Sequence, residues 1–580
     1  MKNREIARIF SEIADIQEFR GYDIFKIRAY RRAALNLEGM SKGVDALSHK
    51  ELLEIPGIGK DFAAKIEEYL ATGKIEVHEK LKEEVPSGML DLLVVPGLGP
   101  KTARLLYNKL GVRGIDDLER LAVEHRLAGA IPKVRQKTEE NILRGIAMVK
   151  RGRERYPLGR VLPLARGLVD DLRKNGNVER MEVAGSIRRS KDTVKDIDIV
   201  ATAPDPTALM AAFTTLPQVI QVLVNGTTKS SVIVKEGIQV DLRVVERESY
   251  GAALAYLTGS KNHNVRLRDM AVRQGLKINE YGIFRDEDDR RLGGAEEEDV
   301  YRVLGLPFIP PELREDSGEV EAALSDSLPR LLTTDDIRGD LHVHSRWSDG
   351  MHSIEKLAAA ARKHGLSYLA LTDHSHSLAV TRGLTVERLM EQRKEIAAFN
   401  DHTRDFTVLH GTEMDILPDG TLDFPDDVLK KLDFVIASIH SAFKQSREQL
   451  TARVVAAMRN PWVTMIAHPT GRLLGEREAY DIDMDEVLRV AQETGTALEI
   501  NAYPLRLDMS DRYARRAREL GIPVAINTDA HVISNFDFLP YGVAIARRGW
   551  LERKDVLNAL DLPELLGRRK GGKSGKIEWR

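Results

Sequence analysis

The chain contains no cysteine, and this absence limits its chemistry. Without thiols there is no disulfide and no thiolate metal site, so any bound metal must use histidine and carboxylate ligands. No apolar run reaches the roughly 18 residues that indicate a membrane helix. The amino terminus begins an amphipathic pattern without the apolar core of a signal peptide. We therefore expect a cytoplasmic protein with no membrane partner.

A strong net charge is also missing, because 87 Lys and Arg stand against 89 Asp and Glu. The balance changes along the chain, with 30 basic against 24 acidic residues in positions 1–160 and 57 against 65 in the rest. This asymmetry indicates a front part that faces DNA and a rear part that is rich in carboxylates. A length of 580 residues predicts several domains.

Two Pro-Gly-x-Gly turns lie in the basic front part, each between stretches of helical periodicity. The first contains Gly57 and Gly59, and the second contains Gly97 and Gly99 and leads into Lys101. Such turns place backbone amides at a helix amino terminus, where they bind a DNA phosphate without reading a base. The pair looks like two helix-hairpin-helix motifs, although a single copy would more often be a plain turn. Residues 130–135 are a degenerate third copy or a simple loop.

Three aspartates mark a β/α stretch between about residues 156 and 245. Asp196 and Asp198 alternate with isoleucines, so both carboxylates lie on one face of a predicted strand. Asp241 lies on a further predicted strand, 239–245, which can bring it beside them. Three converging carboxylates repel one another unless cations lie between them. The pattern predicts two Mg²⁺ ions and nucleotidyl transfer.

A Gly-Ser turn precedes these aspartates and offers groups for a triphosphate. Gly185 and Ser186 supply backbone amides, and Arg189 supplies a guanidinium. Further motifs follow at Thr258-Gly259-Ser260 and Asn279-Glu280-Tyr281. With the aspartates and the two hairpins, they make residues 1–315 resemble the family X DNA polymerases, the family of DNA polymerase beta.

The resemblance implies gapped or primer–template DNA and dNTPs as substrates. It assigns the metal ions to the three aspartates, with Asp241 as the general base, and the β- and γ-phosphates to the Gly-Ser turn and Arg189. It also implies that Tyr256 and Gly259 lie against the incoming sugar, that Asn264 contacts the base and that Arg268 contacts the template strand. Lys65 takes the position of the lysine that removes 5′-deoxyribose phosphate as a lyase. Lys261 and Leu257 depart from the pattern of the beta polymerase, which has Asp and an aromatic residue there.

Regular strand–helix alternation over residues 337–566 predicts an α/β barrel. Eleven of the fifteen histidines lie beyond residue 336. Nine ligand-type residues fall at predicted strand ends, and such a set without cysteine is typical of a multinuclear Zn²⁺, Mn²⁺ or Fe²⁺ site. The nine are His342, His344, Asp349, His374, Glu413, His440, His468, Asp529 and His531.

The motifs Asp340-Leu341-His342-Val343-His344, Thr372-Asp373-His374 and Thr528-Asp529-Ala530-His531 resemble the PHP (polymerase and histidinol phosphatase) domain. That resemblance implies a centre of up to three Zn²⁺ or Mn²⁺ ions, with Glu413 bridging two of them, that hydrolyses a phosphoester. Arg472 and Arg477 are candidate phosphate ligands.

The predicted architecture is multidomain, α and α/β. We expect a helical DNA-binding domain (1–80), a second helical domain (81–152), a nucleotidyltransferase palm with a mixed sheet (153–248), a thumb (249–315), an extended linker (316–336), the distorted α/β barrel (337–566) and a basic flexible tail (567–580). The expected protein is a monomeric gap-filling repair polymerase whose barrel removes 3′ nucleotides or blocking groups, or cuts at abasic sites.

Two alternatives remain at this point. One is a template-independent nucleotidyltransferase joined to a small-molecule phosphatase of the histidinol-phosphatase type, against which the two hairpins argue. The other is a DNA-binding scaffold with inactive sites, against which the filled ligand positions argue.

Overall fold

A computed structural model describes residues 155–568 except 176. In the first 154 residues it describes 2–20, 22–38, 47–53, 57–84 and 100–128 and the single positions 44, 55, 92, 95, 98, 130, 138, 139, 142, 143 and 146. The chain divides into two compact units, Met1–Glu154 and Arg155–Arg580. Gly97, Gly99, residues 131–137 of the third hairpin candidate and residues 569–580 of the tail lie outside the described residues.

The first unit is helical in all its longer described segments. Its amphipathic first helix buries Ile6, Phe10 and Ile13, which recur at helical spacing. The helices are Lys2–Arg20, Ile24–Glu38, His49–Leu53, Lys60–Thr72, Glu76–Glu84, Pro100–Leu110 and Ile115–Val123.

The two hairpins share a backbone pattern in their described residues. In the first, Ile55 N donates to Leu52 O and Ile58 N donates to Ile55 O. The same two bonds recur forty residues later, from Val95 N to Leu92 O and from Leu98 N to Val95 O. The three apolar residues of each copy are buried. The repeat seen in the sequence is therefore also a structural repeat.

The palm of the second unit is a five-stranded mixed sheet. Its order is β2-β4-β7-β6-β5, and β4 and β7 run parallel while the other pairs are antiparallel. The five strands are β2 Arg180–Val183, β4 Asp196–Thr202, β5 Val219–Asn225, β6 Lys229–Val234 and β7 Gln239–Val244. A separate two-stranded antiparallel sheet pairs β1 Tyr156–Pro157 with β3 Thr193–Val194. The helices are Leu158–Asn175, Gly185–Arg188 and Pro206–Thr214.

The thumb packs a small antiparallel sheet against three helices. They are the strands β8 Leu276–Asn279, β9 Gly282–Arg285 and β10 Arg291–Gly293 and the helices Tyr250–Thr258, Lys261–Arg273 and Glu298–Val303. Buried Glu297 joins thumb and palm, because it pairs with Arg188 of the palm and with fully buried Arg314, each at 2.6 Å.

The predicted extended linker is wrong. Residues Glu319–Leu324 form a short helix, and both Glu319 and Val320 are buried. The Glu319 carboxylate lies 2.7 Å from His263 Nδ1 in the thumb and accepts the backbone N–H of Ser317. The acidic composition indicated a solvated spacer, whereas one of its carboxylates is buried by a partner on a distant helix.

The rear part of the second unit is an α/β barrel of seven parallel strands. These follow one another in chain order, and a bridge from Val343 to Ala530 links the first strand to the chain beyond the last. The strands are β11 Gly339–Val343, β12 Tyr368–Leu371, β13 Thr407–Asp415, β14 Phe434–Ser438, β15 Met465–Ile466, β16 Ala497–Asn501 and β17 Val524–Asn527. The helices are Ile354–Lys363, Val386–His402, Asp426–Leu429, Arg447–Arg459, Met484–Thr494, Asp511–Glu519, Leu539–Arg548 and Leu562–Arg568.

The predicted fold class, helical front domains followed by a mixed-sheet palm, a thumb and an α/β barrel, is confirmed. Within the part of the chain that the structure describes, no helix is both long and apolar enough to cross a membrane.

Two candidate active sites

The palm strands bring the three predicted aspartates together. In the parallel pair β4/β7, Asp198 is the register partner of Asp241, and Asp196 is that of Gln239. The intervening residues Ile197 and Ile199 are buried on the opposite face. Alternation along β4 therefore determines which side of the sheet carries the carboxylates.

Burial and mutual repulsion shift Asp196 and Asp198 toward the protonated form. Burial, together with the charges of Asp196 and Asp241, raises the pKa of Asp198 to about 7. Burial, followed by the charge of Asp241, also raises the pKa of Asp196. Acidic oxygens held together at such a cost fit a pair of divalent cations, whose charge would offset both effects.

Gly185 is held against the carboxylates in a conformation that requires glycine. Its φ is +63°, and a Cβ at this position would lie 2.3 Å from Asp198 Oδ2. The turn is fixed to β4 by a hydrogen bond from Ala184 N to Asp198 O.

One cleft of about 330 Å³ gathers the residues that the sequence assigned to the nucleotide. Its lining consists of Gly185, Ser186, Arg189, Asp196, Asp198, Tyr256, Leu257, Gly259, Lys261, Asn264 and Arg268. Asp241 adjoins it through its pairing with Asp198. Both departures from the polymerase pattern, Leu257 and Lys261, lie in the same cleft, where Lys261 brings a positive charge instead of a negative one.

The thumb side of this cleft is ordered by local hydrogen bonds. Asn264 Nδ2 donates to Tyr256 O at 2.7 Å, and Arg268 Nε donates to Asn264 O at 3.4 Å. The Tyr256 side chain is exposed. Of the consecutive arginines Arg188 and Arg189, only Arg189 lines the cleft. It donates to Thr258 O and to Glu315.

In the first unit, the described residues of the first hairpin lead into a helix that lacks a side-chain cap. Gly57 adopts a φ of +81°, and Gly59 precedes the helix Lys60–Thr72 without a side-chain cap, which leaves amides at the helix start. Lys101 lies in the helix Pro100–Leu110. Lys65 is nine-tenths buried, and its Nζ lies 2.5 Å from Asp61 Oδ1.

The barrel brings all nine predicted ligands to the carboxyl ends of its strands. Three groups have ligand atoms within 4.8 Å of one another. The groups are His344, Asp349, His374 and His531; His342, His344 and Asp529; and His374, Glu413 and His440. His468 adjoins the third group, with Nε2 3.0 Å from Glu413 Oε1. Because the groups share members, they form one continuous centre.

Glu413 lies at the middle of this centre and is almost fully buried. Its Oε2 lies 2.9 Å from His374 Nδ1, and its Oε1 lies 3.0 Å from His468 Nε2 and 3.3 Å from His440 Nε2. Both oxygens of this one carboxylate therefore face histidine nitrogens.

The donor atoms of the barrel fit metal ions. Among the described residues, both ring nitrogens of His344, Nε2 of His342 and Nδ1 of His468 are buried without a hydrogen-bond partner. Unpaired buried nitrogens are costly unless a ligand takes them. Burial, together with the charges of His531 and His374, lowers the pKa of His344 to about 3, which keeps that imidazole in the neutral form that binds metal.

Sequence reasoning missed the residues that orient these ligands. Glu499 of β16 is fully buried, lies 2.8 Å from His342 Nδ1 and accepts the His468 backbone N–H. Its contact with Nδ1 directs Nε2 of His342 toward the centre. The available signal was a glutamate between Leu498 and Ile500 in the buried strand Ala497–Asn501.

The two arginines proposed as phosphate ligands are engaged elsewhere. Arg472 donates to Asp192 of the palm at 3.0 Å, and Arg477 donates to Gly471 O. Arg506, which was not predicted, lies with Nε 3.7 Å from Asp529 Oδ2. Among the arginines that the structure describes, Arg506 is the one that forms an ion pair with one of the nine ligands.

Family models match four segments of the chain. They describe a helix-hairpin-helix domain (residues 1–75), a SAM-like helix-hairpin-helix tandem (89–147), a DNA polymerase beta thumb (253–315) and a PHP domain (340–503).

A relative from Bacillus subtilis (strain 168), described as a DNA polymerase/3′-5′ exonuclease PolX, is 41% identical over 97% of this chain and 99% of its own length. Two proteins described as probable phosphatases match part of the chain. One, from Thermoanaerobacter sp. (strain X514), is 30% identical over 38% of this chain and 89% of its own length. The other, from Syntrophotalea carbinolica, is 32% identical over 33% of this chain and 80% of its own length.

Proposed function

Because this chain belongs to the family X DNA polymerases that carry a C-terminal PHP domain, we propose that it both extends and shortens DNA 3′ ends. The palm adds nucleotides in short gaps, and the barrel removes 3′ nucleotides or blocking groups. The observation that carries the proposal is the presence on one chain of two separate sites, the acidic palm cleft and the histidine-rich barrel centre.

In the palm, Asp196, Asp198 and Asp241 would hold two Mg²⁺ ions. When bound, these ions would activate the primer 3′-hydroxyl and neutralise charge on the triphosphate. Gln239 donates to Asp241 Oδ1 at 3.0 Å, which leaves Oδ2 to accept the proton of the 3′-hydroxyl.

The remaining residues of the cleft bind and orient the substrate. The amides of Gly185 and Ser186 and the guanidinium of Arg189 take the β- and γ-phosphates. Tyr256 and Gly259 lie against the sugar. Further along, Asn264 contacts the base and Arg268 the template strand. Lys261 and Leu257 make the contacts around the nucleotide differ from those of the beta polymerase.

In the barrel, the nine ligands would hold up to three Zn²⁺ or Mn²⁺ ions. When bound, they would polarise the phosphoester and activate water for its hydrolysis. Arg506 is placed to hold a phosphate oxygen beside Asp529, and Glu499 keeps His342 oriented. Cleavage at abasic sites is a further activity of the same chemistry.

The two hairpins supply contacts to the DNA backbone through amides near Gly57, Gly59, Gly97 and Gly99, with Lys101 adding a positive charge. We also propose Lys65 as the lyase nucleophile. Its ion pair with Asp61 would have to open for the amine to react. The monomeric state and the cytoplasmic location stay predictions.

A second candidate for the barrel is a small-molecule phosphatase of the histidinol-phosphatase type. It is favoured by the relatives described as probable phosphatases, which match only about a third of this chain. The two candidates differ in the size of the phosphoester that must reach the same centre.

The test uses a gapped duplex with a labelled primer, Mg²⁺ or Mn²⁺, and a parallel assay on histidinol phosphate. Primer extension with dNTPs and primer shortening without them support the proposal. Extension without shortening, together with hydrolysis of histidinol phosphate, would assign the barrel to a small molecule. Failure to extend the primer would overturn the assignment of the palm.

A further inference from the structure

The palm segment that lines the nucleotide cleft has its back against the barrel. This segment, the palm loop, consists of residues Gly185–Asp192. Arg548 Nη1 of the barrel donates to Arg189 O at 2.7 Å, and Arg472 Nη1 donates to Asp192 Oδ2 at 3.0 Å. The two domains also approach closely nearby, because a Cβ on Gly159 would lie 2.0 Å from Pro504 Cβ. The palm loop therefore lies between its own site and the barrel.

Glu315 connects the side chains on the two sides of this contact. Its Oε1 accepts from Arg189 Nε at 3.0 Å and from Arg548 Nη1 at 3.1 Å. Lys191 Nζ lies 3.7 Å from the same oxygen. One carboxylate thus serves three cations, two from the palm loop and one from the barrel.

Arg548 is held in place by contacts that do not depend on the palm. It is the last residue of the helix Leu539–Arg548, and its side chain is only 3% exposed. Its Nε and Nη2 lie 2.8 and 2.6 Å from Asp511 Oδ2, at the start of the helix Asp511–Glu519. A guanidinium fixed by two such contacts presents its third nitrogen in a defined direction.

The contacts determine both where Arg189 lies and how strongly it is held. Arg548 fixes the carbonyl of Arg189 directly and shares the charge of Glu315 with its side chain. Without Arg548, the carbonyl loses its donor and Glu315 attracts Arg189 more strongly, away from an incoming triphosphate. Charge-assisted hydrogen bonds in a half-buried site are strong enough for their loss to weaken the binding of a triphosphate by Arg189.

We propose that Arg548, a residue of the barrel, is a positioning residue for nucleotide binding in the palm and acts on Arg189 directly and through Glu315. The inference depends on the role in triphosphate binding proposed above for Arg189. It means that the barrel contributes to synthesis independently of its own metal centre.

The experiment measures KM for dNTP and kcat for gap filling with the full-length protein and Mg²⁺. Arg548→Met is expected to raise KM about tenfold and to change kcat by less than about threefold, because it affects binding of the triphosphate. Arg548→Lys keeps a charge but only one donor group, so an intermediate KM is expected. Arg189→Met serves as the reference for losing the triphosphate contact itself.

The matched control is the neighbouring arginine. Arg547 is similarly placed at the end of the same helix, but it donates to Glu312 and to Leu332 O and not to the palm loop. Arg547→Met should keep the wild-type KM. Primer shortening and the melting temperature are measured for every variant, and Arg548→Met should retain shortening, since the barrel ligands are untouched.

The outcomes distinguish a failure of the role inferred for Arg548 from a failure of the function proposed for the palm. A wild-type KM for Arg548→Met, beside a raised KM for Arg189→Met, overturns the inference. Equal KM increases in the Arg547 and Arg548 variants also overturn it. An unchanged KM in Arg189→Met overturns the role of Arg189 and the inference with it, and no primer extension by the wild type overturns the function of the palm. If Arg548→Met does not fold, Arg548→Lys decides, because its KM must still exceed the wild-type value.

Discussion

Gly185 lies so close to Asp198 that a Cβ at residue 185 would be 2.3 Å from the Asp198 Oδ2 atom. The contact fixes the distance between the phosphate-binding turn and the carboxylates. Gly185→Ala must displace one of them, and its φ of +63° adds strain for any other residue. A misplacement of about 1 Å in an active site costs roughly 100-fold in rate. We expect that loss in kcat/KM for primer extension, with unchanged primer shortening.

Gly167→Ala is the matched control for this variant. Gly167 lies in the palm helix Leu158–Asn175, and an added Cβ there has nothing within 4 Å. The control should extend the primer at the wild-type rate and be slightly more stable. Wild-type extension by Gly185→Ala would show that the turn does not position the catalytic carboxylates.

Glu297 should be a major contributor to the stability of the palm–thumb junction. Glu297→Gln leaves Arg188 and fully buried Arg314 without their carboxylate, and breaking a buried pair costs about 3–5 kcal/mol. Urea unfolding at pH 7 measures the loss. Glu298→Gln, an exposed neighbour, is the control and should change stability by less than about 0.5 kcal/mol.

The same carboxylate predicts a pH dependence. Burial raises the pKa of Glu297, but the hydrogen bond from Arg188 and the charge of Arg314 outweigh it, so the net pKa lies below its usual value of 4.5. The stability that Glu297 contributes is therefore complete above pH 4.5 and is lost as pH falls through the lowered pKa. The difference between wild type and Glu297→Gln should be constant from pH 7 to 5 and shrink in more acidic solution. A difference that grows with acidification would contradict this.

Glu499→Gln should weaken metal binding by the barrel. The glutamine has one acceptor oxygen where the carboxylate has two, so it cannot serve both His342 Nδ1 and the His468 backbone N–H. Loss of such an orienting group costs about 10- to 100-fold in metal affinity. Competition with a chelator measures this directly, with exposed Glu493→Gln as control. Equal metal affinities in the Glu499→Gln and Glu493→Gln variants would show that Glu499 does not orient the metal ligands.

The lyase role of Lys65 predicts borohydride-dependent trapping of the protein on DNA that carries a 5′-deoxyribose phosphate. Lys65→Ala should abolish trapping, and the exposed neighbour variant Lys60→Ala should retain it. Asp61→Asn removes the ion-pair partner of Lys65, so trapping should become faster. Undiminished trapping in Lys65→Ala would exclude this lysine as the nucleophile.

Local patterns in the sequence predicted the elements that carry the chemistry. Alternation predicted a strand that carries Asp196 and Asp198, which the structure has as Asp196–Thr202. The nine barrel ligands were found because they fall at the ends of predicted apolar strands. What the sequence could not show depends on distant partners. The linker carboxylate Glu319 is buried because His263 lies beside it, and Arg548 meets Arg189 across 359 positions of the chain. The periodicity of apolar residues along the sequence carries no information about pairs of residues so far apart in the chain.

The proposal of two independent active sites is tested most directly by one gel on the gapped duplex, in which the length of the labelled primer is followed for two single-site variants. Asp198→Ala should abolish extension and retain shortening, while His344→Ala should do the reverse, with exposed Asp269→Ala and His402→Ala behaving as wild type. If either site variant loses both activities while remaining folded, or if both retain both activities, the assignment of synthesis to the palm and hydrolysis to the barrel is wrong.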